Sequence, residues 1–335
     1  MNQQTSFDFI GAELSGSTRL LYEWIQSGSM LSASAFADYL FRYLTEQGYE
    51  ANRYGNHIWM MAPGFDTRKK TLLLATHCIF DKHSNPIDLP KETICNQRIY
   101  GPYAGAWGGC LASLLQAYLE LCREQEPYNL IFAALTEEQE RDEADDFVTT
   151  LPTIDFCIIA QATGMQLIKG EKGYACLHGI CRENGEQDAI MQCAEDICRL
   201  QREDFTPGQL GNCSLEMQQI NGNSHTAGYD FHWEYNECHT AQEWCEKQAE
   251  ENYHSSFEVR EDWHPCICLD NHPLLNATTI KQTQQHEPIG HSLLGKLSCP
   301  GVKIGPGGTI AHSIGVADVD NAAHFYKEWL HNINW

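Results

Sequence analysis

Basic residues are scarce in this chain. It has 22 lysines and arginines against 45 aspartates and glutamates in 335 residues, a formal net charge of −23. Such a polyanion repels phosphate backbones and anionic bilayers, so neither nucleic acid nor membrane is expected as a partner. Long apolar runs are also missing. No stretch approaches the roughly 18 to 20 uninterrupted apolar residues of a membrane span. The opening MNQQTSFDFIGAELSGS has no basic segment followed by an apolar one, so no secretory leader is expected. Internal repeats and low-complexity tracts are absent. Cysteine is plentiful, but its 15 copies are odd in number and scattered. A secreted disulfide scaffold is shorter and denser. Cys110, Cys122, Cys157 and Cys176 fall on apolar patterns, which reads as small buried hydrophobes in a reducing cytosol.

What is present is a globular composition, 42% hydrophobic and 20% charged, on a chain long enough for two domains. STRLLYEWIQSG, SASAFADYLFRYLTEQG and GGCLASLLQAYLELCREQ carry apolar residues at helical spacing. HIWMMA, TLLLATHCIF, YNLIFAALTEE and DFCIIAQAT read as strands. Continuous apolar strands between helices predict a mostly parallel sheet covered on both faces. From about residue 174 to 270 the apolar runs weaken. ENGEQDAIMQCAEDICRLQRE and AQEWCEKQAEENY read as helices, CSLEMQQING and FHWEYNE as strands, which predicts a smaller inserted α+β domain. The end, VKIGPGGTIAHSIGVADVDNAAHFYKEWLHNI, returns to strand, glycine loop and helix.

In an open α/β sheet, ligands bind beyond the carboxyl ends of the strands. His77, the loop from Gly101 to Gly109, Glu137 with Glu138, and Gln161 stand at such ends. A further loop carries His312. Residues far apart in sequence are thus brought to one edge of the sheet.

In its motifs ANRYGNHIWMM, TLLLATH, RIYGPYAGAWGG, PYNLIFAALTEE, MQLIKGEKGYACL, DNHPLL and VKIGPGGTIAHS, taken in that order, the chain resembles the acetylornithine deacetylase, succinyl-diaminopimelate desuccinylase and aminoacylase family of dinuclear zinc amidohydrolases. The likeness is nearest to the acetylornithine or succinylornithine deacetylase branch. It implies a zinc-exopeptidase-like α/β domain over residues 1–172 and 271–335. It also implies an inserted lid or dimerisation domain over 173–270. In that family two zincs share a bridging carboxylate and activate a water, and a glutamate moves the proton. The resemblance places the first histidine ligand on His77, the general base on Glu137, its neighbouring ligand on Glu138 and the last histidine on His312. Gly305, Gly307 and Gly308 fall in the loop that shapes the substrate pocket.

The departures matter as much. The aspartate that orients the first histidine falls on Ile79, the bridging aspartate on Ala106, and a further carboxylate ligand on Gln161. Ala106 and Gln161 are therefore degenerate ligand positions, and the missing ligands are the acidic ones. Two zincs without their bridge repel at short range with little to compensate. Zinc is expected as one ion at most, or not at all. Cys78, Asp81 and His83 stand near His77 as replacement donors, though no spacing requires them. The inserted domain lacks the histidine-bearing segment that relatives send into a partner's site, and Glu234 stands near where a substrate arginine belongs.

Each motif has a plainer reading. His77 fits a hydrogen-bonded core histidine, and Glu137-Glu138 an acidic helix start. WHPCICLDNHP, with His264, Cys266, Cys268 and His272, has zinc-like donors but the alternation of a strand. The IGPGG and GAWGG glycines suit either tight turns or an anion. Trp107 is expected to crowd the old metal cavity. Three functions remain. The first is a degenerate deacetylase-like protein that binds an N-acyl amino acid or a protein partner. The second is a one-metal amidohydrolase acting on a substrate such as N-acetyl- or N-succinylornithine. The third is a non-catalytic subunit paired with an intact paralogue. Homo- or heterodimerisation through the inserted domain and a link to arginine biosynthesis follow from the resemblance alone, whereas the cytoplasmic location is expected from the cysteines.

Overall fold

The apolar runs become the strands of one large sheet, and their order places the candidate residues. The computed structural model describes residues 14, 16–80, 93–124, 126–138, 144–250, 253–278, 280, 283–284, 292–308 and 310–333, with 138, 144, 145, 250, 283 and 284 described by backbone alone. It divides into two compact units: Met1–Lys169 with Cys268–Gln284 and Cys299–Trp335, and Gly170–Ile267 with Gln285–Ser298.

In chain order the strands are β1 (Ala51–Tyr54), β2 (His57–Met61), β3 (Thr71–Phe80), β4 (Ile94–Cys95), β5 (Arg98–Tyr100), β6 (Asn129–Glu138), β7 (Phe156–Ile159), β8 (Leu167–Ile168), β9 (Gly170–Glu171), β10 (Gly173–Arg182), β11 (Ser214–Gly222), β12 (Thr226–Tyr235), β13 (Ser256–Trp263), β14 (Cys266–Ile267), β15 (Thr283–Gln284), β16 (Gly301–Lys303) and β17 (Ser313–Gly315). The first unit holds an eight-stranded sheet in the order β1-β2-β6-β3-β7-β16-β8-β15. Its centre, β6-β3-β7-β16, is parallel, as expected for strands that are apolar on both faces. A small sheet β17-β5-β4 lies in the same unit.

The helix Gly109–Leu121 is buried along almost its whole length, which explains its near-continuous apolar sequence. It shares one core with the helices Gly16–Gln26, Ala33–Glu46 and Val316–His331 and with one face of β3, through Leu72, Leu74, Cys78 and Phe80. The helix Ala33–Glu46 starts where Ser32 accepts a hydrogen bond from the Ala35 N–H. Among the described residues no helix is long and apolar enough to cross a membrane. No disulfide joins any of the described cysteines.

The second unit is an antiparallel sheet, β11-β12-β10-β13. Strict alternation in β10 and β12 turns Leu177, Tyr229, Phe231 and Trp233 inward, against the helices Ala189–Leu200 and Ala241–Glu250. The sequence alone does not mark β10 or β13 as strands. Buried Asp196 accepts from the Ser255 N–H (2.7 Å), the Ser255 hydroxyl (2.6 Å) and the His254 N–H (3.2 Å). Asp196→Ala strands those donors, and we expect a loss of about 2–3 kcal/mol in urea unfolding. A loss below about 0.5 kcal/mol would mean the network is not structural.

Candidate functional site

Parallel register decides which strand-end residues meet. His77 on β3 pairs with Leu135 on β6, and Ile79 with Glu137. Residues in register point to one face, so His77, Ile79 and Glu137 share a side of the sheet, opposite Cys78 and Phe80. His77 Nδ1 lies 3.8 Å from Glu137 Oε2, with side chains only 11% and 14% exposed. Gln161 follows β7, next to β3 on its other edge, and its N–H donates to the Ile304 carbonyl at 3.3 Å.

The glycine loop after β16 comes back against the segment Ala104–Gly108, a single π-helical turn. Such turns are rare and carry an extra residue's worth of slack. The Ala106 N–H donates to Ala311 at 3.1 Å, the Gly105 N–H to the same carbonyl at 2.9 Å, and Gly101 to the His312 carbonyl at 3.0 Å. Ala106 and His312 are therefore neighbours through the backbone. Gly105 has no room for a side chain, since a Cβ there would run into the carbonyl oxygens of Ile310 and Ser313. Tyr103 enters the turn in the left-handed region at φ 55°.

Glu137 Oε1 and His312 Nδ1 are buried and have no hydrogen-bond partner among the described residues. Buried polar atoms left in this state are costly, and they mark where a ligand or ion completes a site. The side chain of Glu138, as well as Asp81 and His83, lies outside the described residues. Cys78 makes a poor replacement ligand. It is fully buried on the face away from His77, and burial, with the charge of Glu137 adding, pushes its thiol well above the ordinary value.

Two zincs do not fit the described donors. Ala106 and Gln161 bring no charge, and ligand atoms of three or more side chains converge, among the described residues, only at Glu124, Glu126 and His331. That group has its own explanation as an ion-pair network: His331 Nδ1 lies 3.2 Å from Glu126, and Lys327 Nζ 3.5 Å from Glu124. Of the WHPCICLDNHP donors, Cys266 sits on β14 in register with Glu171. His272 accepts from the Leu274 N–H at 3.3 Å and stacks on Phe156.

Trp107 does not fill the side that His77 faces. Its ring is buried with Phe36, Phe80 and Tyr103, at 5.1, 5.0 and 5.4 Å between centroids. Its Nε1–H donates to the Ile79 carbonyl at 3.0 Å. Gly307 and Gly308 line a cavity of about 450 Å³, together with Arg98, which opens the RIYGPYAGAWGG motif, and Asp318, which lies outside the motifs. Gly305 instead packs inside, where a Cβ would lie 2.5 Å from the Gln161 carbonyl oxygen.

No protein-family model and no curated protein matches the chain. Solved structures do. Aminopeptidase PepT from Bacillus cereus superposes with a TM-score of 0.63 at 14% identity, covering 95% of this chain and 98% of that one. An M20 family metallo-carboxypeptidase from Sulfolobus solfataricus gives 0.61 at 14% identity, covering 95% and 99%. Aminoacylhistidine dipeptidase from Vibrio alginolyticus gives 0.63 at 11%, covering 97% and 98%. The chain has the fold of these peptidases over nearly its whole length. At such identities the likeness is one of architecture, and the site must be argued from its own residues.

Proposed function

We propose that this protein is an acetylornithine deacetylase-like member of the zinc amidohydrolase group whose dinuclear metal site is degenerate. It has given up the usual hydrolysis and keeps the strand-end site for a small N-acyl amino acid or a related ligand. The observation that carries this reading is a pair of buried polar atoms without a hydrogen-bond partner among the described residues, Glu137 Oε1 and His312 Nδ1, beside the neutral Ala106 and Gln161. A site abandoned altogether would have closed over or paired its polar groups. A working dinuclear centre would have kept its carboxylates.

In this reading Glu137 accepts the amide N–H of the ligand, and His77, held against Glu137, restricts its carboxylate to one orientation. His312 meets the acyl carbonyl or the carboxylate. With no bridging carboxylate at Ala106, the site does not gather two metals around a shared hydroxide. The second reading, a one-metal amidohydrolase, draws on the same retained residues: His77, Glu138 and His312 as ligands and Glu137 as the base.

Elemental mass spectrometry of protein purified without chelator and then supplemented with zinc separates the two. We expect substoichiometric zinc, manganese and cobalt, and no hydrolysis of N-acetyl- or N-succinylornithine. N-acetylornithine binding should weaken about tenfold in Glu137→Gln, the loss of one charge-assisted hydrogen bond. One tightly held metal per chain, with hydrolysis that Glu137→Gln abolishes, would establish the amidohydrolase instead.

A further inference from the structure

The cavity beside the glycine loop has a chemistry of its own. Its walls include Arg98, Met165, Gly308, Ile310, Asp318 and Asn321, and its volume is about 450 Å³. That falls in the range of small-molecule pockets. Neither His77, Glu137 nor Gln161 lines it.

Arg98 is fixed by one residue. Its Nε donates to Ser313 Oγ at 3.3 Å, and its Nη2 donates to Ser313 Oγ at 3.0 Å and to the Ser313 carbonyl at 3.1 Å. Among the described residues no carboxylate pairs with it, in a chain where acids outnumber bases 45 to 22. The planar fork is thus oriented with Nη1 left over, and a guanidinium in that state is built for a carboxylate.

Asp318 lies close by without touching it. Gly315 is the register partner of Arg98, and a Cβ on Gly315 would lie 2.5 Å from Asp318 Oδ2. The Asp318 carboxylate therefore hangs over the strand position facing Arg98. Asn321, one helical turn further, adds an amide to the same wall. Opposite charges that share a cavity but leave each other unpaired complement a ligand carrying both. A simple anion would meet Asp318, and a simple cation would meet Arg98. The remaining walls are apolar, and Ile310 is 57% exposed.

We infer that this cavity binds a small zwitterion, a free α-amino acid with an apolar side chain. Its carboxylate lies on Arg98, its ammonium on Asp318, and its side chain against Met165 and Ile310. The site goes beyond the function proposed above: it shares Gly307 and Gly308 with the loop that the resemblance gives to the substrate pocket, but it uses none of His77, Glu137 and Gln161.

Ligand-observed and protein-observed NMR titrations of the full chain with L-leucine, 4-methylpentanoate, which is leucine without its ammonium, and L-leucinamide test it. Leucine should bind one to one. Each analogue should bind at least about tenfold more weakly, having lost one charged contact. Arg98→Gln and Asp318→Asn should each weaken leucine by a similar factor. Gly308→Leu should abolish binding with the fold intact by circular dichroism, because nothing lies within 4 Å of a Cβ there. Leucine binding should persist in His77→Ala. Absent leucine binding, equal binding of 4-methylpentanoate, or loss of leucine binding in His77→Ala would each overturn the inference. The last result would move the ligand to the strand-end site.

Discussion

Trp107→Ala will destabilise the first unit by about 3–5 kcal/mol, the range for removing a buried tryptophan and leaving its cavity. The ring is 5% exposed and touches three aromatic neighbours, one of them stacked at an interplanar angle of 18°. Its indole N–H also holds the Ile79 carbonyl at the end of β3. Trp107→Phe separates the two contributions. It keeps most of the ring area and strands only the carbonyl, so a loss of about 1–2 kcal/mol is expected. Urea unfolding followed by far-ultraviolet circular dichroism reads both. If the alanine variant came within about 1 kcal/mol of the parent, the aromatic cluster would be too loose to position the end of β3. The strand-end site would then need some other support. The same argument predicts that Trp107→Ala weakens ligands of the strand-end site, because His77 lies two residues before the carbonyl that Trp107 grips.

Much of this architecture was legible in the sequence, for a physical reason. Strands buried on both faces must be apolar throughout, so TLLLATHCIF and NLIFAALTEE stand out, and each carries a polar interruption toward its carboxyl end. That change is what marks His77 and Glu137. The register that puts them 3.8 Å apart is a property of paired strands, and no local pattern shows it. Trp107 was misjudged because its loop position suggested the cavity. The π-helical turn Ala104–Gly108 rotates the ring into the core instead. Strands β4 and β5 are too short to show a period of two. The pairing of β5 with β17 joins segments more than 200 residues apart, as the Arg98–Ser313 contact does across a separation of 215. That Arg98 and Asp318 share one cavity was accordingly invisible to motif reading, although Arg98 and the glycines of its wall stand in quoted motifs. The strand β10 escaped for another reason. Its outward face, with Tyr174, Cys176 and His178, is half-buried, so the contrast between its two faces is weak in sequence.

Restoring the absent charges tests the degenerate-site reading most directly. Ala106→Asp with Gln161→Glu should raise zinc affinity by on the order of 100-fold over the parent, since even indirect partners of a ligand change affinity by 10- to 100-fold. The two substitutions act at different points. Ala106 is tied by its N–H to Ala311, next to His312, so an aspartate there brings a carboxylate to the histidine end of the site. Gln161 leaves β7 beside β3, so a glutamate there brings the second carboxylate toward the His77 end. Each charge alone would face Glu137 without a metal to share, so each single variant should be less stable than the double variant loaded with zinc. Competition titration against a chromophoric chelator measures the affinity. A thermal shift with and without zinc measures the coupling, because an ion bound only by the folded state raises its stability. If the double variant held no more zinc than the parent, Ala106 and Gln161 would not be the vacated ligand positions. The degenerate-site reading would fail with them, whereas the free amino acid site at Arg98 and Asp318, which shares none of these residues, would be untouched.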